Sequence, residues 1–536
     1  MHIHRLIGVL TIAAIAALST SSSRAAVHHA VPSDIERVFS KPAYRNAVWG
    51  LRVMDGPRVL VDFHSGRQLF IGSVRKIFSV GSSLNAVGAT HTYDTPVFRQ
   101  GAVDSKGTLH GNLVLVASGD LTMGGRTNAD GTIAISNWDH NEANSLGNAI
   151  LTRPNPLAGY ARLARSIRQA GIKRVDGDVV IDDRLFDPFK FRGEFNVRPI
   201  FVNDDVVDVS MLPPRTAAKA AAVSWRPRSS ALAVSNRLTA AGSNAKSTVT
   251  IDPELPQCIG QPRCTVTVRG ALPRGFMPPL TGGQTLVQTA RIVQPSNFAR
   301  TVFVEALGAA GVTVSAPVVE PNPTRLLPKQ RSYASGAKVA QLTGMPYGQD
   351  AKFVLKISYN IGADTSLVLF GLTRGQRNMQ GALRAESSYL SKQFGIAPGE
   401  YHFVDGSGGG DSTATNVAVT KMLEGLAKAR EHQAFFDALP ILGVDGSLAT
   451  VKNFQNDPTL RGAKGQVRAK TGTYVAGSAS GPMLKGQAYG GYVTSRSGKH
   501  LTFELVVNNM PIKGIPDLIK VFEDEGTIAA MLWRDY

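Results

Sequence analysis

Cysteine is scarce: Cys258 and Cys264 are the only two in 536 residues. Their separation does not fit the C-x-x-C spacing of a thiol redox centre. With no second pair and no histidine cluster there is no zinc-type ligand set, so neither a metal nor another cofactor is implied. Long apolar runs are also missing. The run from Leu6 to Leu18 is thirteen residues, short of the ~20 that cross a bilayer as a helix, and no second stretch approaches that length. Charged residues make up 18% against 43% hydrophobic, which excludes a disordered chain or a coiled coil, and the 54 Gly and 29 Pro fit a loop-rich globular chain rather than collagen. No internal repeat stands out. Gly406 to Gly410 is glycine-rich but lacks the Lys-Ser/Thr of a P-loop, so no nucleotide site is needed. His28, His29, His432 and His500 are scattered and read as surface or packing residues.

What is present is length and positive charge. At ~150 residues per domain the chain has room for three or four domains. An excess of 58 Lys and Arg over 40 Asp and Glu leaves +18, which attracts anionic surfaces, whether nucleic acid, membrane or cell-wall polymer. The N-terminus narrows the choice. His2, His4 and Arg5 precede the apolar run, and Ser23-x-Ala25 offers the small residues of a cleavage site, so residues 1–25 read as a signal peptide. An exported, periplasmic chain has no use for genomic nucleic acid and keeps no integral membrane segment once the signal is removed. Export also favours closing Cys258 and Cys264 into a small disulfide loop, whereas in a reducing compartment the same pair would carry no such meaning.

Periodicity gives the organisation. Ala47–Val53 and Arg58–Phe63 flank Asp55-Gly56-Pro57 and read as a hairpin. From Ser73 the period turns helical through Val74, Ile77, Phe78, Gly81 and Leu84, with Gly88 as a stop. Residues 96–283 are strand-like and turn-rich, with clear runs at Asn112–Ala117, Gly177–Ile181 and Thr248–Ile251. One helix interrupts them, at Leu157–Ala170. Helical patterns return at Asn297–Ala310, Ala363–Leu369, Asn416–His432 and Pro516–Trp533, and Gly486–Thr494 and His500–Asn508 form a second hairpin. This pattern predicts an α+β domain, residues 26–95 and 284–536, split by a β-rich insertion.

Three short motifs carry chemistry. In Ser73-Val74-Arg75-Lys76 a helix places the first and fourth side chains on one face, so the lysine can take the serine's proton if burial or another cation lowers its pKa. Ser358-Tyr359-Asn360, at the junction of two elements, sets a hydroxyl two residues from a carboxamide. Lys470-Thr471-Gly472-Thr473 on a strand puts Lys470 and Gly472 on one face and leaves backbone for an extended peptide.

In this order the motifs resemble those of the penicillin-recognising serine enzymes. The 285 residues from Ser73 to Ser358 and the 112 from there to Lys470 resemble the D-alanyl-D-alanine carboxypeptidase/endopeptidase family of the penicillin-binding protein 4 type (low-molecular-mass class C). Tyr93-Asp94-Thr95, Ala117-Ser118-Gly119-Asp120, Asp182-Asp183-Arg184-Leu185-Phe186, Asp405-Gly406-Ser407-Gly408 and Val444-Asp445-Gly446-Ser447-Leu448 also match that family. Ile71-Gly72 before the serine and Gly409-Gly410-Asp411 after the glycine-rich turn depart from it.

The resemblance implies a β-lactamase/transpeptidase-like catalytic domain, an antiparallel sheet flanked by helices. It implies Ser73 as nucleophile, Lys76 as base, Ser358 and Asn360 as relay and orienting groups, and Lys470, Thr471, Gly472 and Thr473 as the substrate-binding strand. The implied partners are peptidoglycan stem peptides and crosslinks, with β-lactams as covalent inhibitors. The alternatives are a β-lactamase or D-amino-acid esterase and, in a different class, a non-catalytic wall-binding scaffold. Finally, Val209 to Gly275 holds nine Lys and Arg against Asp252 and Glu254, a local +7 suited to docking on an anionic wall polymer.

Overall fold

The computed structural model describes residues 30–216, 221–278, 280–478 and 481–536. The expected signal peptide and Lys219 lie outside them.

The hairpin expected near the start forms as Val48–Asp55 and Arg58–Phe63. It joins a five-stranded antiparallel sheet in the order Arg58–Phe63, Val48–Asp55, His500–Pro511, Gly481–Thr494, Val467–Ser478. The central strand His500–Pro511 is buried over nearly its whole length, so both faces of the sheet are covered. On one face the terminal helices Ser33–Phe39 and Ile515–Asp535 pack over Leu51, Val53, Phe503 and Leu505. On the other, Lys76–Val87 runs through the middle of the domain with every residue from Lys76 to Leu84 buried. It contacts Asn360–Leu372 and Asn416–Ala427 and ends at Gly88, whose φ of +90° suits glycine.

Among the described residues the inserted chain forms four further sheets, the smallest of them the pair Phe189–Phe191 and Phe195–Val197. The largest orders Thr313–Val314, Arg174–Val175, Thr108–Val116, Thr92–Val103 and Lys338–Pro346, with Val179–Asp182 also paired to Thr108–Val116. Helices Ala158–Gln169 and Pro295–Ala309 share its core. Val206–Leu212 pairs with Ala222–Arg226 and Leu286–Arg291, and Thr265–Pro273 pairs with Ala233–Ala241 and Thr250–Asp252.

These pairings correct the expected return of the chain at 284. Helix Pro295–Ala309 buries Phe298, Val302 and Phe303 in the inserted core. Strand Lys338–Pro346 lies antiparallel to Thr92–Val103, with Leu342 opposite Thr95. The chain rejoins the catalytic helices only at Tyr347–Ile357. Cys258 and Cys264 are disulfide-bonded. The basic stretch is partly neutralised, since Arg226 pairs with Asp208 and Arg269 with Asp252.

The inserted and catalytic layers meet at a buried charge cluster. Arg126 donates to both Asp139 and Asp204, and the His140 ring bridges Asp204 and Asp208 at 2.7 and 2.6 Å. Arg126 thus fills the space that Asp139, His140 and Asp204 would otherwise offer an ion. Its guanidinium lies 4.2 Å over the ring of Phe353, and the Tyr359 hydroxyl donates to the Asp204 carbonyl at 3.3 Å.

Candidate active site

Ser73 lies in the 3-10 turn Gly72–Arg75 that leads into helix Lys76–Val87. Two glycines let the edge strand press against this turn. Gly72 has φ +49°, and a Cβ on it would meet the Thr473 nitrogen at 2.7 Å. A Cβ on Gly472 would meet the Ile71 carbonyl oxygen at 1.9 Å and the Ser73 nitrogen at 3.0 Å. The backbone nitrogens of residues 73 and 473 therefore border one small space. From the other side, a Cβ on Gly408 would fall 2.0 Å from the Gly72 carbonyl oxygen, so the Asp405–Gly408 turn also packs directly on the backbone just before Ser73.

Lys76 is fully buried and uses all three donor positions: Ser73 Oγ at 2.6 Å, Asn360 Oδ1 at 2.6 Å and the Ser407 carbonyl at 2.9 Å. Burial pushes its ammonium down to about 7, against the opposing pull of the Asp364 and Asp405 carboxylates. At neutral pH a substantial fraction is therefore the free amine, whose lone pair can accept the Ser73 hydroxyl proton. Lys470, also fully buried, is pushed well below the ordinary lysine value, first by burial and then by the charge of Lys76. Its Nζ donates to the Thr471 carbonyl at 2.7 Å.

The Asn360 amide is held at both ends. Its Oδ1 faces Lys76, and its Nδ2 donates to Glu142 Oε1 at 2.7 Å. Ser358 caps helix Tyr347–Ile357 in the left-handed region, φ +63°, a strained position for a residue other than glycine. Among the described residues its hydroxyl makes no hydrogen bond to Ser73 or Lys76. Thr471 Oγ1 pairs with Ser447 Oγ at 2.7 Å. Arg75, between Ser73 and Lys76, is locked by two hydrogen bonds to Glu386, by the Asp405 carbonyl and by the ring of Phe403.

The structure thus joins Ser73, Lys76 and Asn360 in one hydrogen-bonded set. Strand Lys470–Thr473 lies against the Ser73 turn, and Ser358, two residues before Asn360, makes no hydrogen bond with the set among the described residues. Sequence reasoning missed Glu142, the Ser407 carbonyl and Ser447. The two serines lie inside glycine-rich segments that were themselves a signal. Glu142 carries none, being one acid in a turn-rich region.

The model of the D-Ala-D-Ala carboxypeptidase 3 (S13) family matches residues 31–522. The D-alanyl-D-alanine carboxypeptidase of Actinomadura sp. (strain R39) is 24% identical over 503 residues, 89% of this chain and 80% of that protein. Carboxypeptidase DacB of Mycolicibacterium smegmatis (strain ATCC 700084 / mc(2)155) is 28% identical over 238 residues, 43% of this chain and 46% of that protein. The crystal structure of penicillin binding protein 4 (dacB) from Haemophilus influenzae superposes with a TM-score of 0.66 at 18% identity, covering 94% of this chain and 99% of that one, and so shares the fold. A match running from the N-terminal helix into the C-terminal one, across all three motifs and the insertion between them, places the chain in the D-Ala-D-Ala carboxypeptidase 3 (S13) family.

Proposed function

We propose that this serine-type carboxypeptidase removes the terminal D-Ala of peptidoglycan stem peptides, and opens the D-centred amide of their crosslinks, through an acyl-enzyme on Ser73. The observation that carries the reading is the 2.6 Å contact between Ser73 Oγ and a buried Lys76 held at about 7. A scaffold without chemistry has no need of a buried amine poised against a serine.

Lys76 takes the Ser73 proton as Oγ attacks the carbonyl of the penultimate D-Ala. The N–H groups of Ser73 and Thr473 receive the developing oxyanion. Asn360 orients Lys76 and the peptide. Ser358 passes a proton to the leaving amine as the C–N bond breaks. Lys470 and Thr471 hold the carboxylate, and Gly472 admits the backbone that brings them close. Water, deprotonated by Lys76, then hydrolyses the ester. A β-lactam enters the same path and leaves Ser73 acylated.

Residues 1–25 direct export to the periplasm and are removed. The catalytic unit is residues 26–91 with 347–536, and the inserted unit is 92–346. Mature protein incubated with a labelled penicillin should carry the label on Ser73 and should release D-Ala from a stem pentapeptide, and Ser73→Ala should abolish both. Wild-type protein that takes up no label and frees no D-Ala would sink the reading.

A further inference from the structure

A cleft of about 430 Å³ runs along helix Tyr347–Ile357, from Ala89 and Gln349 at one end through Lys352 to Lys356, Asp445 and Arg468 at the other. Its position follows from the chain. Lys356 precedes Ser358, Asp445 precedes Ser447, and Arg468 precedes Lys470, each by two residues. Two residues span at most about 7 Å of backbone, so three separate segments bring this end of the cleft to within that backbone distance of Ser358, Ser447 and Lys470. On helix Tyr347–Ile357, Gln349, Lys352 and Lys356 share one face by their spacing of three and four. The inserted unit closes the surroundings: Gln349 Oε1 accepts from the Ile133 N–H at 3.0 Å, and Asn137 Oδ1 accepts from the Gly446 N–H at 2.8 Å.

The charges within the cleft do not cancel. Lys356 is paired with Asp445 at 2.6 Å, and Arg468 with Asp437 at 3.4 Å. Lys352 has no ion pair within 4 Å among the described residues, and Asp130 feels it only at longer range. One net positive charge therefore faces an open space whose lining is more apolar than polar.

We propose that this cleft is the subsite for the leaving half of a peptide crosslink, a peptide fragment whose free carboxylate is gripped by Lys352. The inference rests on the reading under Proposed function. In the simple carboxypeptidase reaction the leaving group is a single amino acid that ends at Lys470 and Thr471, and the cleft stays empty. In the crosslink the same C–N bond breaks and the same acyl carbon passes to Ser73 Oγ, but the amine that takes up the proton belongs to a longer, carboxylate-bearing peptide. That peptide continues past the Thr471–Ser447 contact into the cleft. Lys352 thereby favours crosslink cleavage over trimming.

The test compares kcat/KM for a linear stem pentapeptide and for a crosslinked muropeptide dimer, using full-length mature protein. The ratio of crosslink cleavage to D-Ala release should fall about tenfold in Lys352→Glu, less in Lys352→Gln, as expected for the loss of one charge-assisted contact, and the difference should shrink at high salt. A second measurement needs no variant. The free leaving peptide should inhibit the wild type about tenfold better than the same peptide with its carboxylates amidated. An unchanged ratio, equal inhibition by the two peptides, or a wild type that releases D-Ala but never opens the crosslink overturns the subsite. A wild type acting on neither substrate overturns instead the reading on which it rests.

Discussion

Glu142 reaches from the inserted unit to Asn360, its Oε1 accepting the amide Nδ2 at 2.7 Å. A carboxylate can only accept, so this contact fixes which end of the amide points to Lys76. Without it the amide can turn its N–H₂ toward the ammonium, where two donors oppose each other.

Removing that constraint should cost turnover more than binding. In Glu142→Ala, kcat for D-Ala release should fall about tenfold or more, with a smaller change in KM. Glu142→Gln, which keeps an acceptor, should recover part of the loss. Steady-state kinetics on a pentapeptide decide this, and equal values for the two variants would refute the orienting role.

The depressed Lys76 gives a pH signature. Its base form grows as the pH rises through about 7, so acylation of Ser73 by a labelled penicillin should climb between roughly pH 6 and 8 and then level. Lys76→Met should lose a factor on the order of 10² to 10⁴ and the rise with it. A rate indifferent to pH across that window would remove Lys76 from the role of base.

Arg75 and Glu386 form an ion pair with both side chains essentially inaccessible. Glu386→Ala leaves an uncompensated buried guanidinium and should destabilise the fold by about 3–5 kcal/mol, whereas replacing both residues by well-packed apolar ones should cost much less. Urea unfolding of the two variants measures the difference.

His140 predicts a stability profile rather than a rate profile. Burial alone would push its ring down, but the carboxylates of Asp208 and Asp139 outweigh burial and lift it to about 9. Because the folded value lies above the unfolded one of ~6.5, the stabilisation is complete below about pH 6.5 and is lost as the pH rises through about 9. Thermal unfolding should therefore shift to lower temperature between pH 7 and 10, and His140→Gln should flatten that slope.

Local geometry decides how much of this was legible in the sequence. Ser73 with Lys76, and the Lys470–Thr473 strand, follow from the periods of helix and strand, and their order supplied the chemistry. The outer hairpin and the closing helix were visible for the same reason. The return point of the chain was not. Lys338–Pro346 finds its partner in Thr92–Val103 more than 200 residues earlier, and no local pattern records a pairing so distant. Helix Pro295–Ala309 has an apolar face that either core would accept. Glu142 and the Ser407 carbonyl reach Asn360 and Lys76 only through tertiary packing, which leaves no periodic trace.

The order of strands in the catalytic sheet also sets a schedule. Val48–Asp55, made early in synthesis, is hydrogen-bonded along its inner edge to His500–Pro511, and the strand beside Ser73 begins only at Val467. A growing chain therefore carries Ser73 for hundreds of residues without the strand that packs against it. An unfinished or C-terminally clipped molecule lacks the means to cut, and activity begins only when the last strands arrive.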